Sequence, residues 1–490
     1  MTADRAFRVA AAIVAAVTLV RIVALFVSPL ELYPDEAQYW WWAQHPALGY
    51  FSKPPLIAWI VAAVTSVFGD AEAAIRLASP LLHGGTALVL FAVAHRLYDA
   101  HTGLWTAVSY IVLPGAAYSS GIISTDVPLL FLWASALLAF ARAMREPGWS
   151  WALVCGAAIG FGMLAKYAML YFVAGAVLTA IVLPQARRLL LSRRGAAIGL
   201  IAAAIFSPNV VWNMLNGYST VAHTAANAHW QDTPFNPVGA LEFLGSQFGV
   251  FGPFMFGAYL FALWRIARGR DRTPAALLLA GFSLPPLAVI LVQAFLSEAN
   301  ANWAATAYVA ATPLAVHTLL SFAKGRVFAV SLGFNGLAAL AMLVLFVSPA
   351  AVEAAGLANA YKRMHGWREL GKVVVARAEI DRPEAIVADN RSVVAELLYY
   401  ARPRSVPVLA WDDDEAADDH FQLTLRLTPE TSGRVLLVTT RDDPAEVLAT
   451  FDSAQLVDTN IVPLGGDRRR VTLFFDAQGY RRPASSDGTP

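Results

Sequence analysis

Apolar runs long enough to cross a bilayer recur through the first 350 positions of the chain and then stop. A spanning helix needs about 20 mostly apolar residues, which predicts eleven spans, at 9–28, 72–95, 103–121, 127–144, 149–165, 168–186, 196–212, 246–264, 274–296, 303–322 and 327–348. The apolar run Leu56 to Phe68 is only thirteen residues long and follows Pro54-Pro55, so it reads as a re-entrant or interfacial helix. The first run resembles a signal peptide, but Arg21 interrupts it and no small-residue cleavage site follows. It is read as an uncleaved span.

After residue 350 the pattern changes. Short apolar runs at Ala385–Ala388, Val406–Leu409, Arg434–Val438 and Arg470–Phe475 alternate with helix-like stretches at Val393–Tyr400 and Pro444–Phe451. The expected organisation is therefore an all-α polytopic membrane domain over 1–350, a small α/β domain over 351–482 and a disordered tail over 483–490. Composition agrees: 57% of residues are hydrophobic, 14% are charged and the mean hydropathy is +0.53, against about 25% charged in soluble domains. The single Cys155 excludes a disulfide framework.

Charge sets the expected orientation. Fifteen of the nineteen Lys and Arg before residue 350 fall on the amino-terminal side of the eleven-span arrangement, which the positive-inside rule makes cytoplasmic. A full span at 56–68 would scatter them across both faces. The odd number of crossings puts the tail domain on the opposite, outer side. Arg21, Lys53, Arg76 and Lys166 are left on that outer side, with Asp35, Glu36, Asp126, His223, His229, Glu298 and Asn302. Ionisable groups near membrane depth are costly unless they pair or line a watery cavity, so this face is the expected functional site.

Each candidate has a plainer alternative. Asp35, in Tyr33-Pro34-Asp35-Glu36-Ala37-Gln38-Tyr39, is a catalytic carboxylate or the cap of a helix starting at Glu36. Glu36 orients Asp35 or a metal, or pairs structurally. Asp126, in Ser124-Thr125-Asp126-Val127-Pro128, is again a catalytic or orienting acid or an N-cap. Lys53 and Lys166 suit an anionic lipid phosphate as point charges, or snorkel. Arg21 and Arg76 pair internally or contact substrate. Tyr39, His223, Glu298 and Asn302 are placed in the lining of an acceptor cleft. The six-residue spacing of His223 and His229 is not that of a helical zinc pair, and the acidic stretch Trp411–Asp419 matches no calcium loop. No metal site is assigned, and the need for a divalent metal stays open.

Asp35-Glu36-Ala37-x-Tyr39, Lys53-Pro54-Pro55, Thr125-Asp126-x-Pro128, Lys166-Tyr167, Trp212-Asn213 and Asn302-Trp303 occur in this order. In that order the chain resembles the bacterial GT-C glycosyltransferases, and more narrowly glycosyltransferase family 39, related to protein O-mannosyltransferases and the lipid A aminoarabinose transferase. The likeness covers the membrane part. It implies a hexosyl or pentosyl transferase that moves a sugar, with inversion, from a polyprenyl-phosphate donor to a lipid A, glycan or protein acceptor at the periplasmic face. Asp35, Glu36 and Asp126 would then be the catalytic acids, and Lys53, Lys166 and Arg76 the donor-phosphate contacts. The competing expectation is a transporter or flippase of a lipid-linked intermediate, whose charges bind cargo near the midplane. Nothing in the sequence points to nucleic acid.

Overall fold

The computed structural model describes residues 1–226, 235–322, 325–412, 417–431, 433–465 and 468–481. His229 and residues 413–416 of the acidic stretch lie outside them, as does the 483–490 tail. The chain divides into two compact units, one of Met1–Val27 with Lys53–Phe346, the other of Ser28–Ser52 with Val347–Pro490. The segment carrying Asp35, assigned to the membrane part on hydropathy, thus clusters with the tail domain.

The first unit is helical. Seven helices among the described residues are long and apolar enough to span a membrane: Ala3–Val27, Glu72–Leu97, Asp126–Ala143, Arg193–Leu215, Pro274–Leu296, Ala301–Phe322 and Arg326–Val347. Ser150–Ala165, Tyr167–Val182 and Leu56–Phe68 are shorter apolar helices. Three of the expected spans are not single helices, the one at 168–186 giving way after Val182 to a second helix, Pro184–Leu190. The span at 246–264 is a pair, Pro237–Phe251 and Pro253–Ala267, bent by 115°. Pro253 cannot donate to the preceding turn and disfavours a helical residue before it, and Gly252 takes φ +86°, a conformation that glycine adopts freely. The span at 103–121 breaks into Ala100–Ile111 and Pro114–Ser119. Arg21 answers that break: its guanidinium donates to the freed carbonyl of Ile111 at 2.6 Å and to Ser120 Oγ at 2.9 Å. A buried arginine among apolar helices is tolerated when it satisfies backbone groups in this way.

Close approach of backbones holds the helices together. A Cβ on Gly156 would lie 2.8 Å from Ile198 O, and one on Gly160 would lie 2.7 Å from Ile205 Cβ. This Gly-x-x-x-Gly stripe lets Ser150–Ala165 pack directly on Arg193–Leu215, the arrangement that small residues favour where lipid offers no hydrophobic drive. Elsewhere interlocking rings fill the core, with Phe282 centred 4.5 Å from Phe172 and 5.2 Å from Phe140.

The second unit is a five-stranded mixed sheet in the order β2-β1-β3-β5-β4, where β1 is Ala385–Ala388, β2 Val408–Ala410, β3 Arg434–Thr439, β4 Phe451–Gly465 and β5 Arg468–Tyr480. Strand β1 is parallel to both β2 and β3, while β5 runs antiparallel to β3 and β4. All four residues of β1 are buried, as expected for a parallel strand covered on both faces. The helix Arg391–Tyr400 follows β1.

Residues Ser28–Ser52 are stitched into this unit. The Trp367 amide donates to Glu31 Oε2 at 2.6 Å, and the Leu32 amide to the Tyr400 hydroxyl at 2.7 Å. Trp40 meets Tyr399 edge-on at 5.1 Å beneath the Arg402 guanidinium. Trp42 stacks on Tyr50 at 4.4 Å, and His420 sets its edge against both rings. The Tyr50 hydroxyl donates to the carbonyls of Trp42 and His45, and burial pushes it up to about 12. His420 Nδ1 lies 3.4 Å from the Phe51 amide; burial, with His45 nearby, holds the imidazole down at about 4.

Two expectations follow. Gly160→Val drives two packed helices apart and lowers stability by about 1–3 kcal/mol, read as a fall in the melting temperature of the detergent-solubilised protein. Gly257→Ala, whose added methyl meets nothing within 4 Å, does not lower it. Because folded His420 binds a proton less readily than an unfolded histidine of ordinary value 6.5, its neutral form stabilises fully above that value, and the contribution is lost as pH falls towards 4. Melting temperature measured across this window declines in the wild type, and His420→Gln flattens that part of the curve.

Candidate functional site

In the helical unit, three of the residues singled out by sequence meet. Asp126 is the first residue of the helix Asp126–Ala143, where the helix dipole favours a carboxylate. Its Oδ1 accepts from Lys166 Nζ at 2.7 Å, and its Oδ2 from Asn302 Nδ2 at 2.9 Å. The N-cap position expected of Asp126 is taken instead by Thr125, whose side chain makes no capping hydrogen bond. Lys166 sits in the break between two apolar helices, with extended backbone at φ −162° and ψ 138°, and Asn302 lies in the 3-10 turn Ala301–Ala304. Four separate helical segments therefore converge on one charge pair.

The Lys-Tyr and Trp-Asn motifs are also in contact. The Tyr167 hydroxyl donates to Asn209 Oδ1 at 2.8 Å, and Asn213 Nδ2 donates to the Tyr167 hydroxyl at 3.2 Å. Asn209 and Asn213 are buried, so the residue next to Lys166 is anchored from the helix Arg193–Leu215. Asp126 and Lys166 themselves stay reachable, with side chains 14% and 26% exposed. An ammonium has three donors, so Lys166 has capacity for an anion beyond Asp126.

The other candidates of this unit lie apart from that pair in role. Lys53 is half-buried just before the helix Leu56–Phe68. Arg76 is buried, with its guanidinium 6.0 Å from the Phe346 ring, a packed position rather than an open one. His223 is half-buried in the helix Ser219–Ala226. Glu298 is exposed, and its carbonyl accepts from Gln293 Nε2 at 3.2 Å. Among the described residues no three His, Cys, Asp or Glu side chains gather as a metal site.

In the second unit the helix Pro34–Gln44 begins with Pro34, and Tyr33 is its cap. Glu36 is buried and its Oε2 accepts from the Tyr33 amide at 2.9 Å, closing the first turn as a capping glutamate does. Tyr39 is buried against Trp42. Asp35 is different: its side chain is 39% exposed and its Oδ1 accepts from Arg391 Nη1 at 2.9 Å. The same Nη1 donates to Gln38 Oε1 at 2.7 Å. Burial works against the Arg391 charge, but Asp35, by its charge and its hydrogen bond, with Tyr39 and Asp419, holds the guanidinium above its ordinary value.

Arg391 is the residue that sequence reasoning missed. It is 356 positions from Asp35, and no local pattern joins them. The available signal was its place after β1, since open α/β sheets present ligand contacts at the carboxyl ends of parallel strands. The scaffold behind it is rigid: Asp389 Oδ2, also at the end of β1, accepts from Thr439 Oγ1 at 2.8 Å and Arg441 Nε at 2.9 Å. Asn390 caps the helix through the Ser392 amide.

Comparison with known proteins identifies the family of the chain. Residues 52–212 match the family model described as dolichyl-phosphate-mannose-protein mannosyltransferase. The chain is 38% identical to the lipid A galacturonosyltransferase RgtD of Rhizobium johnstonii over 94% of its own length and 96% of the relative's. It is 26% identical to the undecaprenyl phosphate-alpha-4-amino-4-deoxy-L-arabinose arabinosyl transferase of Aeromonas hydrophila, over 73% of this chain and 68% of that one. The crystal structure of ArnT from Cupriavidus metallidurans bound to undecaprenyl phosphate shares the fold, with a TM-score of 0.65 at 17% identity over 98% of each chain. A full-length enzyme relative removes the ground for the transporter reading. The chain belongs to the GT-C glycosyltransferases of the family 39 type, multi-pass enzymes of the inner membrane.

Proposed function

We propose that this protein transfers a galacturonosyl residue from a polyprenyl phosphate to lipid A, with inversion, at the periplasmic face of the inner membrane. The observation that carries the reading is the likeness to RgtD along nearly the whole of both chains. The undecaprenyl-phosphate ligand named for ArnT and the lipid-linked donor named for the Aeromonas relative support the donor class. The excess of Lys and Arg on one side of the expected spans supports the orientation.

In this reading Asp35 is the base. It takes the proton from an acceptor hydroxyl while that oxygen forms a bond to the anomeric carbon. The bond from the anomeric carbon to the phosphate oxygen breaks, and its electron pair leaves on the polyprenyl phosphate. Lys166, steadied by Asp126 and Asn302, takes up the growing negative charge, with Lys53 as a second cation. Glu36 fixes the turn from which Asp35 projects. Asp126 has a double task, since it holds the Lys166 ammonium in place and keeps the cation compensated when no donor is bound.

Purified protein in nanodiscs, supplied with polyprenyl-phosphate galacturonate and lipid A, tests this. Asp35→Asn lowers the transfer rate by about 10²- to 10⁴-fold, the range for loss of a general base. Lys166→Ala raises KM for the donor and also lowers kcat, because the phosphate charge is largest in the transition state. Full transfer by Asp35→Asn removes that residue from its role. No transfer by the wild type, with aminoarabinose donor accepted instead, overturns the sugar.

A further inference from the structure

The tail domain contributes more to the Asp35 segment than a place to dock. We propose that Arg391 is a positioning residue for the reaction: it holds Asp35 Oδ1 so that Oδ2 is the oxygen that receives the acceptor proton. The proposal rests on the reading of Asp35 as base.

Three observations support it. First, Arg391 Nη1 is shared between Asp35 Oδ1 and Gln38 Oε1, side chains one helical turn apart that lie on the same face. A shared donor fixes the rotamer of the carboxylate as well as its distance. Asp35 Oδ2 receives no hydrogen bond from any described residue and belongs to a side chain 39% exposed, so it is the oxygen available to an acceptor. Second, Arg391 is mounted on stiff structure. It opens the helix Arg391–Tyr400 directly after the fully buried β1, and the neighbouring Asp389 is locked to β3 through Thr439. A guanidinium carried on a strand end and a capped helix gives the directional precision that a loop residue lacks.

Third, the pair is not needed for docking. The segment is already fastened by Glu31 to the Trp367 amide, by the Leu32 amide to Tyr400, and by the stacked Trp42 and Tyr50 against His420. A half-exposed ion pair adds little stability beside those contacts. Its effect is on direction, and a base misdirected by about 1 Å loses about 10²-fold in rate.

The test uses the full-length protein in nanodiscs with polyprenyl-phosphate galacturonate and lipid A. Arg391→Ala is expected to lower kcat by about 10- to 100-fold with KM for the donor changed less than about twofold, since only transition-state geometry is lost. Arg391→Lys, which keeps charge and reach without the fork, recovers part of kcat. Melting temperature stays close to wild type in both, and Arg481→Ala, at an exposed site, transfers normally. Adding Arg391→Ala to Asp35→Asn causes no further loss, because a positioning residue acts only through what it positions. Wild-type kcat in Arg391→Ala, or a further drop in the double variant, overturns the proposal. Should Asp35→Asn itself be fully active, the reading of the base fails first, and the two failures are told apart by that single variant.

Discussion

Charge beside hydrocarbon is expensive unless another group answers it, and much of this molecule's functional architecture follows from how that cost is met. In the helical unit, Asp126 at a helix start faces Lys166 in a helix break, with Asn302 completing the carboxylate's second oxygen. In the other unit, Asp35 faces Arg391. Arg21 meets the same constraint in another way, by satisfying a carbonyl left open by a broken helix. Interruptions in the helices supply much of the polar chemistry: the extended residue Lys166, the turn before Ala305 and the break after Ile111 each present groups that a continuous helix would keep to itself.

The two ion pairs are intermediate in exposure. A buried pair seldom gains stability over a hydrophobic replacement, and an exposed pair gains little. Asp126–Lys166 and Asp35–Arg391 lie between these limits, accessible yet fully oriented by neighbours. By contrast Glu36, though adjacent to Asp35, is sealed into its own helix start, so the acidic doublet divides into one structural and one available carboxylate.

How much of this was legible in sequence depended on the range of the interaction concerned. Hydropathy alone located seven of the eleven expected spans as helices long and apolar enough to cross a membrane among the described residues, because a bilayer imposes length and composition together, and the buried strands β1 and β3 stood out as unbroken apolar runs. The Gly252-Pro253 bend was written in a dipeptide that breaks helices, but an apolar run on either side of it masked the break. Strand β4 was missed because eight of its fifteen residues are exposed and its polar and apolar residues are mixed, leaving no alternation to read. Asp126, Lys166 and Asn302 were named separately as candidates on chemistry; that they touch is tertiary information. Arg391 had only its place after an apolar strand as a cue, and its meaning depends on a contact across 356 positions. The pairing of Ser28–Ser52 with the tail was hidden for the same reason: the aromatic residues Trp40 and Trp42 pack against Tyr399 and His420, contacts that no local pattern announces.

The central claim concerns what leaves the donor and what receives it, and the most direct measurement is mass spectrometry of lipid A from the host with this gene deleted and then restored. The account predicts that the deletion strain loses one hexuronosyl substituent from lipid A and that the restored gene returns it. Lipid A carrying its full complement of hexuronate in the deletion strain would contradict the account.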